Sequence, residues 1–592
     1  MRLVHVYRKR RALLLLSLVT VAIYILLMMK REHTHGDGGT YTPIQADAVF
    51  FTRSHHDESA IEQILANISW NHVDPRRTFK MNVYLSDEIP VNRPVPDSRP
   101  LSCSSRTWPR DLPLTSVVIT YHNEWPSVLV RTVYSVIQRT PKHLLNQIIL
   151  VDDASTERET RQGTNFLKTY LGSSPITYLR LDERQGLVKA RLHGVSEVNS
   201  EVVVFLDSHM EVNYNWLQPL LVEIRNNKAT VAMCHLDYVN PKTFKYSHEK
   251  DYRTRYGFDW QLHFFETYFR KDQTEGKDET VSLPEKRFSE GPIWRSFTVI
   301  VSVSIHVIGV VAVGAGFAIN VEYFKSIGTL DDGMKIWGGE NIELSIRVWT
   351  CGGRLVHVAC SKIGHIARDQ PYSFLAERSA VEIHNYKRIV EVWFDEFKQY
   401  VYHVYPEMKS VDAGDIDKRK EIRRTLKCKP FSWFLQSIWP KLLPYEHYSR
   451  VWGSVQTDVS GQKMCLNNKK YLFSWPEQLV VKSCQGDHMT ETFALTDNSQ
   501  LRTILQCVVV IQDGLDYVPY LQSCSEVTNV SSTYWSYEFQ MLMHVSTSLC
   551  MEVSQTGLHL TMNTCERTNK RQKWEFKVLP KTQNQNVYDL QS

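Results

Sequence analysis

The stretch Val-Val-Val-Phe-Leu-Asp-Ser-His at 202–209 decides the fold class, because an uninterrupted apolar run ends directly in a carboxylate and an imidazole. Two earlier runs end in polar residues in the same way. The run at 117–120 leads into Tyr-His-Asn-Glu at 121–124, and the run at 148–151 leads into two aspartates. Continuous β-branched runs are typical of strands that are buried on both faces of a parallel sheet. Ligands in such sheets bind beyond the carboxyl ends of the strands, so the runs predict an α/β fold with a site at that edge.

The polar residues after the third run suit a divalent metal ion. Asp207 and His209 lie two residues apart, and a third candidate ligand is His365, which follows another strand-like stretch at 355–359. One carboxylate with two imidazoles suits Mn²⁺, but it also matches the facial triad of non-haem iron oxygenases. The iron alternative expects an all-β barrel, whereas strand-like and helical stretches alternate here. Spacing alone does not separate His365 from a chance placement among 22 histidines.

A Trp-Gly-Gly-Glu-Asn motif at 337–341 is a second candidate element of this site. Paired glycines let the backbone approach a ligand closely, and Glu340 and Asn341 would then present a carboxylate and an amide beside it. The same residues also fit a turn with a helix cap, because the residues that follow are apolar at helical spacing. Asp152 and Arg184 are weaker signals, since acidic residues often end strands as turns and exposed arginines are common.

Composition places the chain among ordinary globular proteins. Its 592 residues allow two or three domains, and it is 43% hydrophobic and 22% charged. The 69 basic and 64 acidic residues give a net charge of +5. So small an excess gives no reason to expect nucleic acid as a partner.

The N-terminal region predicts a membrane anchor. Residues 12–29 are apolar apart from one Ser, one Thr and one Tyr, and as a helix they would rise about 27 Å, enough to span a bilayer. Basic residues cluster before this run, so the positive-inside rule predicts a cytoplasmic tail at 1–11 and an outer or lumenal remainder. The alternative is a cleaved signal peptide, but the run is long for one and has no small-residue cleavage site.

A second apolar run, at 296–319, could be mistaken for another membrane span. It is rich in Val and Ile and ends in Gly-Ala-Gly at 314–316. This β-branched character favours buried strands.

The remaining chain divides into a polar stem at 30–107, an α/β domain at 108–440 and a cysteine-rich β region at 451–585. The β region carries three cysteine pairs with similar spacings, which predict a β-trefoil of three short units. An irregular disulfide-stapled β domain is the alternative. The three pairs are Cys465–Cys484, Cys507–Cys524 and Cys550–Cys565.

The cysteine count favours a lumenal location. Ten of the 11 cysteines could pair in an oxidising compartment, which would leave one free. Asn67 and Asn529 begin candidate N-glycosylation triplets, although such triplets also arise by chance.

Taken together, these motifs resemble the polypeptide N-acetylgalactosaminyltransferases, the enzymes that begin mucin-type O-glycosylation. The matching segments run in order from Leu-Pro-Leu-Thr-Ser-Val-Val-Ile-Thr-Tyr-His-Asn-Glu at 112–124 to Glu-Val-Trp-Phe-Asp-Glu at 391–396. Between them lie segments 148–155, 205–209, 257–260, 337–343, 351–353 and 364–365. The resemblance covers the whole chain, including the tail, anchor, stem and C-terminal lectin-like module.

The resemblance implies a GT-A (Rossmann-like) catalytic domain followed by a ricin-type β-trefoil. It also implies a single-pass type II protein of the Golgi membrane that faces the lumen. Its activity would be the retaining transfer of GalNAc from UDP-GalNAc to Ser or Thr hydroxyl groups of protein or glycopeptide acceptors.

The same resemblance assigns roles to individual residues. The implied Mn²⁺ ligands are Asp207, His209 and His365. The implied substrate contacts are Thr120, Asp152, Arg184, Ser208, Gly314, Trp337, Arg368 and Tyr372, and the implied catalytic pair is Glu340 and Asn341. Two implied disulfides, Cys103–Cys360 and Cys351–Cys428, leave Cys234 free.

The chain departs from the family pattern in three places. The segment at 294–316 is longer and carries Ala315 between glycines, where an added methyl group would weaken donor binding. The loop at 368–372 is one residue shorter. In the trefoil, the family's sugar-binding aspartates are replaced by Asn467, Val509 and Glu552. Two hypotheses follow: an active transferase, or a weak or inactive relative that binds glycopeptides or assists a partner.

Overall fold

The computed structural model describes the chain from residue 75 to residue 577 with gaps. The described ranges are 75–104, 106–171, 175–247, 254–268, 306–370, 373–442, 449–468, 477–485, 488–504, 506–514, 516–524, 527, 529–556 and 559–577. The predicted anchor at 12–29, Asn67 and Tyr372 lie outside these ranges. Within them, no helix has the length and apolar character needed to cross a bilayer.

Strands and helices alternate through the α/β part of the chain. Its strands are β1 (Thr115–Tyr121), β2 (Leu145–Asp152), β3 (Ile176–Arg180), β4 (Val202–Asp207), β5 (Met210–Val212), β6 (Thr230–Val239), β7 (Tyr246–Ser247), β8 (Thr254–Phe258), β9 (Phe264–Tyr268), β10 (His306–Ile308), β11 (Phe317–Asn320) and β12 (Arg354–Ile366). Its helices are α1 (Pro75–Phe79), α2 (Val83–Glu88), α3 (Leu101–Ser104), α4 (Pro126–Arg139), α5 (Arg158–Tyr170), α6 (Leu187–Ser196), α7 (Leu217–Asn226), α8 (Val321–Ser326), α9 (Glu340–Thr350), α10 (Arg378–Trp393), α11 (Lys398–Val404), α12 (Asp417–Thr425) and α13 (Phe431–Ser437).

One large mixed sheet organises this domain, with strand order β10-β12-β6-β11-β4-β1-β2-β3. Strands β1, β2 and β4 are parallel, as the three apolar runs predicted, and β3 adds a further parallel strand beside β2. The chain order reverses at β1, which has β2 on one side and β4 on the other. Strand β11 is antiparallel to both of its neighbours and so closes the parallel half. The predicted α/β fold is therefore confirmed.

Both faces of the sheet are buried, which explains why its strands are apolar without alternation. Val118, Val203 and Phe205 belong to the hydrophobic cluster on one face. Val117 and Val204 belong to the cluster on the other face. Because consecutive side chains of a strand point to opposite faces, each run must be apolar throughout to fill both cores.

The end of the apolar run at 296–319 forms strands, as predicted. Residues 306–308 form β10 and residues 317–320 form β11, while 296–305 lie outside the described ranges. Gly316 precedes β11 with φ +76°, and a Cβ there would lie 2.4 Å from the Cys234 sulfur. Only glycine fits so close an approach in this backbone conformation.

The C-terminal β region forms two further sheets. Its strands are β13 (Ser449–Val459), β14 (Gln462–Asn467), β15 (Glu477–Gln478), β16 (Val480–Ser483), β17 (Thr492–Thr496), β18 (Leu501–Arg502), β19 (Gln506–Asp513), β20 (Asp516–Ser523), β21 (Trp535–Glu538), β22 (Met541–His544), β23 (Leu549–Val553), β24 (Leu560–Thr564) and β25 (Glu575–Lys577), with a short helix α14 (His488–Glu491). Trp535 and Trp574 are fully buried in their core. Trp452 instead joins the core cluster of the α/β domain, so the two regions pack together.

All five disulfides expected from the sequence are present. They are Cys103–Cys360, Cys351–Cys428, Cys465–Cys484, Cys507–Cys524 and Cys550–Cys565. Cys234 has a free thiol on β6, and burial raises its pKa. Most of the thiol therefore stays protonated and unreactive at neutral pH.

Buried His357 on β12 is expected to make the domain sensitive to acid. Burial, with the charge of Arg255, lowers the pKa of His357 to about 3. An unfolded histidine has a pKa of about 6.5, so between these values the unfolded chain binds a proton that the native chain does not. The free energy of unfolding must then fall as the pH falls below about 6.5.

Replacing His357 by Gln should therefore flatten the pH dependence of stability. Denaturant titrations between about pH 4 and 6.5 should show a slope reduced by about 1.4 kcal/mol per pH unit. His193→Gln, at an exposed position, is the matched control. An unchanged slope in the His357 variant would contradict this explanation.

Candidate active site

A cavity of about 360 Å³ lies beyond the carboxyl ends of β1 and β4, where the strand order reverses. The predicted site residues that line it are Thr120, Arg184, Asp207, Ser208, His209, Gly314, Trp337, Glu340, Asn341, His365 and Arg368. Asp152 is not among the lining residues, whereas its neighbour Asp153 is. The fold thus gathers residues from six separate loops and strand ends into one place.

Asp207, His209 and His365 form a group that can hold a metal ion, because one ligand atom from each lies within 4.8 Å of the others. Strand pairing explains their proximity. Strand β12 pairs with β5 in a register that sets His365 opposite Met210, next to His209. Burial, together with neighbouring His209, lowers the pKa of His365 to about 4. The imidazole is therefore neutral at physiological pH, which is the form that binds metals.

Glu124 supports this group from behind. Its carboxylate lies 3.0 Å from His209 Nδ1, accepts a 2.8 Å hydrogen bond from the Ser208 hydroxyl, and accepts two bonds of 2.6 Å from Arg368. Burial alone would raise its pKa, but the charge of Arg368 and the His209 hydrogen bond hold the pKa of Glu124 at about 2. A carboxylate on Nδ1 keeps the proton there and leaves Nε2 free for a metal.

A buried arginine, Arg191 on α6, joins the metal group to the Trp-Gly-Gly-Glu-Asn motif. Its guanidinium lies 3.3 Å from the Asp207 carboxylate and 3.8 Å from Glu340 Oε1. It also donates a 2.6 Å hydrogen bond to the carbonyl oxygen of Gly314. Burial raises the pKa of Glu340, against the opposing charge of Arg191. The Arg191 guanidinium thus lies between the Asp207 and Glu340 carboxylates and interacts with both at the cavity wall.

The paired glycines of the motif have the backbone role that the sequence indicated. Gly338 and Gly339 have φ of +103° and +87°, and Gly339 is the N-cap of α9. A Cβ at Gly339 would lie 3.1 Å from the side chains of Tyr386 and Ile389. Both proposed interpretations therefore hold: the turn caps a helix, and it also places Glu340 at the cavity as the first residue of that helix.

The two aspartates at the end of β2 have different partners. Asp152 is buried, accepts the Ser155 backbone N–H at 2.7 Å and forms an ion pair with Arg180. The Asp153 carboxylate binds the Arg184 guanidinium at 2.5 Å. It also accepts hydrogen bonds from the backbone N–H groups of Gln185 and Gly186. Asp153 therefore orients Arg184, whose positive charge lines the cavity.

Comparison with known proteins shows which family has this combination of domains. The Glycosyl transferase family 2 model matches residues 116–283, and the Ricin-type beta-trefoil lectin domain model matches residues 451–574. Human polypeptide N-acetylgalactosaminyltransferase 13 is 38% identical over 442 residues, which is 74% of each chain. Human polypeptide N-acetylgalactosaminyltransferase 14 is 33% identical over 85% of this chain and 87% of its own. The chain belongs to the polypeptide N-acetylgalactosaminyltransferase family.

A solved relative in this family, GalNAc-T7 crystallised with UDP, GalNAc and Mn²⁺, has the same overall architecture. It is 28% identical, with a TM-score of 0.56, and the match covers 85% of this chain and 89% of the other. The donor set in this chain fits the same ion, since one carboxylate and two imidazoles suit Mn²⁺. The GT-A and ricin-type trefoil domains predicted from the sequence are confirmed.

Replacing Glu124 by Gln is expected to weaken metal binding without touching a ligand. The amide can still accept from His209, but it loses the charge that holds Arg368 and fixes the imidazole. Supporting carboxylates of this kind are worth roughly tenfold to a hundredfold in metal affinity. Mn²⁺ titration by calorimetry measures the change, with exposed Glu322→Gln as control. An unaltered Mn²⁺ affinity in a folded variant would refute the supporting role.

The three substituted trefoil positions are all buried. Glu552 is fully engaged by its own chain: Gln572, Asn563 and Asn569 donate to Oε2, and Arg571 pairs with Oε1 at 2.6 Å. The Asn467 amide donates a 3.0 Å bond to the Thr490 hydroxyl, and Val509 is 3% exposed. Both carboxylate oxygens of Glu552 are therefore used in contacts that stabilise the trefoil, and not in binding a sugar.

Sequence reasoning missed Glu124 and Arg191 as functional residues. Glu124 could have been found, because it stands just past β1, where the strand-end rule already placed a site. Arg191 gave no signal, since arginine side chains are mostly exposed, and only the tertiary structure buries this one to 1% exposure.

Proposed function

We propose that this chain transfers GalNAc from UDP-GalNAc to Ser or Thr hydroxyl groups of proteins, with retention of configuration at the anomeric carbon. The observation that carries the proposal is the shared cavity, in which the metal group and Glu340 flank one buried arginine. The names of the family relatives support the same donor and acceptor classes.

Each part of the cavity then has a task. Mn²⁺, when bound, supplies counter-charge for the diphosphate of the leaving UDP. Asp207, His209 and His365 hold that ion. Arg184, held in place by Asp153, adds positive charge to the same cavity. Both contributions grow as the glycosidic bond breaks and negative charge collects on the leaving group, so they favour the transition state over the bound donor.

Glu340 serves the sugar side of the bond. Its carboxylate is buried and lines the cavity, and positive charge develops on the anomeric carbon as the leaving group departs. A fixed carboxylate in a site shielded from water stabilises such charge strongly. Arg191 keeps it fixed and in turn binds the Gly314 carbonyl, which orders the floor of the pocket.

The described part of the unusual segment before β11, residues 306–316, is compatible with activity. Ala315 is 2% exposed and belongs to the hydrophobic cluster on the sheet face that also contains Ala318 and Ile363. Ala315 also lines the cavity, and the cavity persists beside it and Gly314. This supports an active transferase over the inactive relative.

Turnover of UDP-GalNAc by the purified full-length chain, with Mn²⁺ and a library of Ser/Thr-containing peptides, tests the proposal. We expect GalNAc-modified peptides with α configuration, identified by mass spectrometry and NMR. Calorimetry with UDP and with UDP-GalNAc accompanies the assay. Binding of UDP without binding or turnover of UDP-GalNAc would favour the inactive relative and refute the transferase.

We further propose that the chain is a type II Golgi membrane protein with its catalytic domain in the lumen. The apolar run at 12–29, its basic flank and the five disulfides support this orientation. Protease added to sealed Golgi vesicles should leave the trefoil intact, with detergent-opened vesicles as control. Digestion of the trefoil in sealed vesicles would contradict it.

A further inference from the structure

A second arginine, Arg378, connects two residues of the cavity wall from outside. It is the first residue of α10, and its guanidinium carbon lies 5.3 Å from the ring centroids of both Trp337 and Phe374. Its edges are also engaged. Its Nη1 donates a 2.8 Å hydrogen bond to Gln370 Oε1, and its Nε donates a 2.8 Å bond to Glu382 Oε1. Trp337 and Gln370 both line the cavity.

The same helix holds the backbone of the Trp337 turn through a different side chain. The Asn385 amide donates to the carbonyl oxygens of Lys335, Trp337 and Gly338 at 2.8, 3.1 and 2.9 Å. These bonds fix the path of the main chain, but they leave the indole free to rotate about its side-chain torsions. The contact with Arg378 restrains the indole itself, so α10 controls both the backbone and the ring.

The chemistry of the contact requires arginine. A planar guanidinium can lie against aromatic rings while its N–H groups bond in the plane, whereas the ammonium of lysine is a point charge. The Arg378 side chain is 51% exposed and paired with Glu382, so solvent and that carboxylate screen its charge. Long-range attraction for a diphosphate is therefore weak, and the position of Trp337 is what the contact determines.

We propose that Arg378 is a positioning residue that holds the indole of Trp337 and the amide of Gln370 at the cavity wall, and so sets the affinity for the sugar-nucleotide donor. This inference rests on the proposed function, because it takes UDP-GalNAc as the occupant of the cavity. Arg378 does not touch the metal group, so metal affinity is independent of it.

The test compares Arg378→Gln and Arg378→Lys in the full-length protein with Mn²⁺. Loss of a cation–π contact at so exposed a position corresponds to roughly twofold to fivefold in affinity. We expect the Kd and KM for UDP-GalNAc to rise by that factor in the Gln variant and by less in the Lys variant. Turnover at saturating donor, Mn²⁺ affinity and melting temperature should be unchanged. Arg567→Gln, which removes a comparable arginine–aromatic contact with Phe539 in the trefoil, is the matched control.

A double-mutant cycle with Trp337→Leu shows whether Arg378 acts through the indole. If it does, Arg378→Gln should cost less donor affinity on the Trp337→Leu background than in the wild type, and the remaining loss is the part that acts through Gln370. The proposal would be overturned if the losses of donor affinity in the two single variants added up in the double variant. It would also be overturned if Arg378→Gln alone bound the donor with wild-type affinity. Calorimetry distinguishes failure of this proposal from failure of the proposed transferase activity. If the wild-type chain binds UDP-GalNAc but does not turn it over, the transferase activity is refuted, and the UDP-GalNAc affinities of the Arg378 variants still test the positioning role.

Discussion

Replacing Asp207 by Asn is expected to lower kcat/KM by about a thousandfold, the largest effect of any single substitution in this chain. Asp207 supplies the one carboxylate of the metal group, and its loss leaves two imidazoles to hold the ion. Counter-charge from a metal at a leaving group is worth several kcal/mol, and each 1.4 kcal/mol is a factor of about ten in rate. Steady-state transfer to a peptide acceptor, measured across Mn²⁺ concentrations, gives the result.

Two controls make the Asp207 result interpretable. Chelation of the wild-type protein should reproduce the loss, and added Mn²⁺ should restore the wild type but not the variant. Asp332→Asn, at a carboxylate that is 54% exposed, should change neither rate nor metal requirement. Full activity of the Asp207 variant in chelator would remove the metal from the proposed mechanism.

Glu340→Gln is expected to lower kcat by roughly a hundredfold to a thousandfold, the range found when one preorganised electrostatic group is removed from a site. Gln has the same shape and keeps an oxygen near Arg191, so donor and Mn²⁺ affinities should change little. A fall in kcat with a nearly constant KM identifies an interaction made in the transition state.

The pH profile gives an independent check on Glu340. Its pKa is raised by burial, and the carboxylate is active only when ionised. The acid limb of the wild-type kcat/KM profile should therefore lie at higher pH than an ordinary glutamate would give, and it should be absent from the Gln variant. Glu377→Gln, an exposed carboxylate at the start of α10, should leave the limb in place. A variant with unchanged kcat would assign the sugar side of the chemistry to another group.

The sequence predicted the central fold and most of the lining residues because these depend on local patterns. Apolar runs that end in polar residues locate strand ends, and strand ends in a parallel sheet converge. The features that the sequence could not reveal depend on contacts between side chains that are distant in the chain. Asp152 and Asp153 are adjacent and chemically identical, and only the register of the following loop decides which one holds Arg184. Arg191 is an ordinary helical arginine until α6 packs against β1 and β2.

The trefoil shows the same limit. Glu552 could be identified as a departure from the family's aspartate, and a longer arm predicted a displaced charge. The structure shows where that charge goes, since Arg571 and three amide groups lie within reach of it. Those partners come from a different part of the repeat, so their proximity is a property of the folded unit.

The metal group also ties together two distant parts of the chain. Asp207 ends β4 and His365 lies on β12, and in the sheet these strands are separated by β6 and β11. An ion bound to both would act as a reversible cross-link, and ligation to the native state alone raises stability by about 2.7 kcal/mol at a hundredfold excess over Kd. A thermal-shift titration would then report occupancy of the site directly. It would do so even for preparations or variants that transfer no sugar.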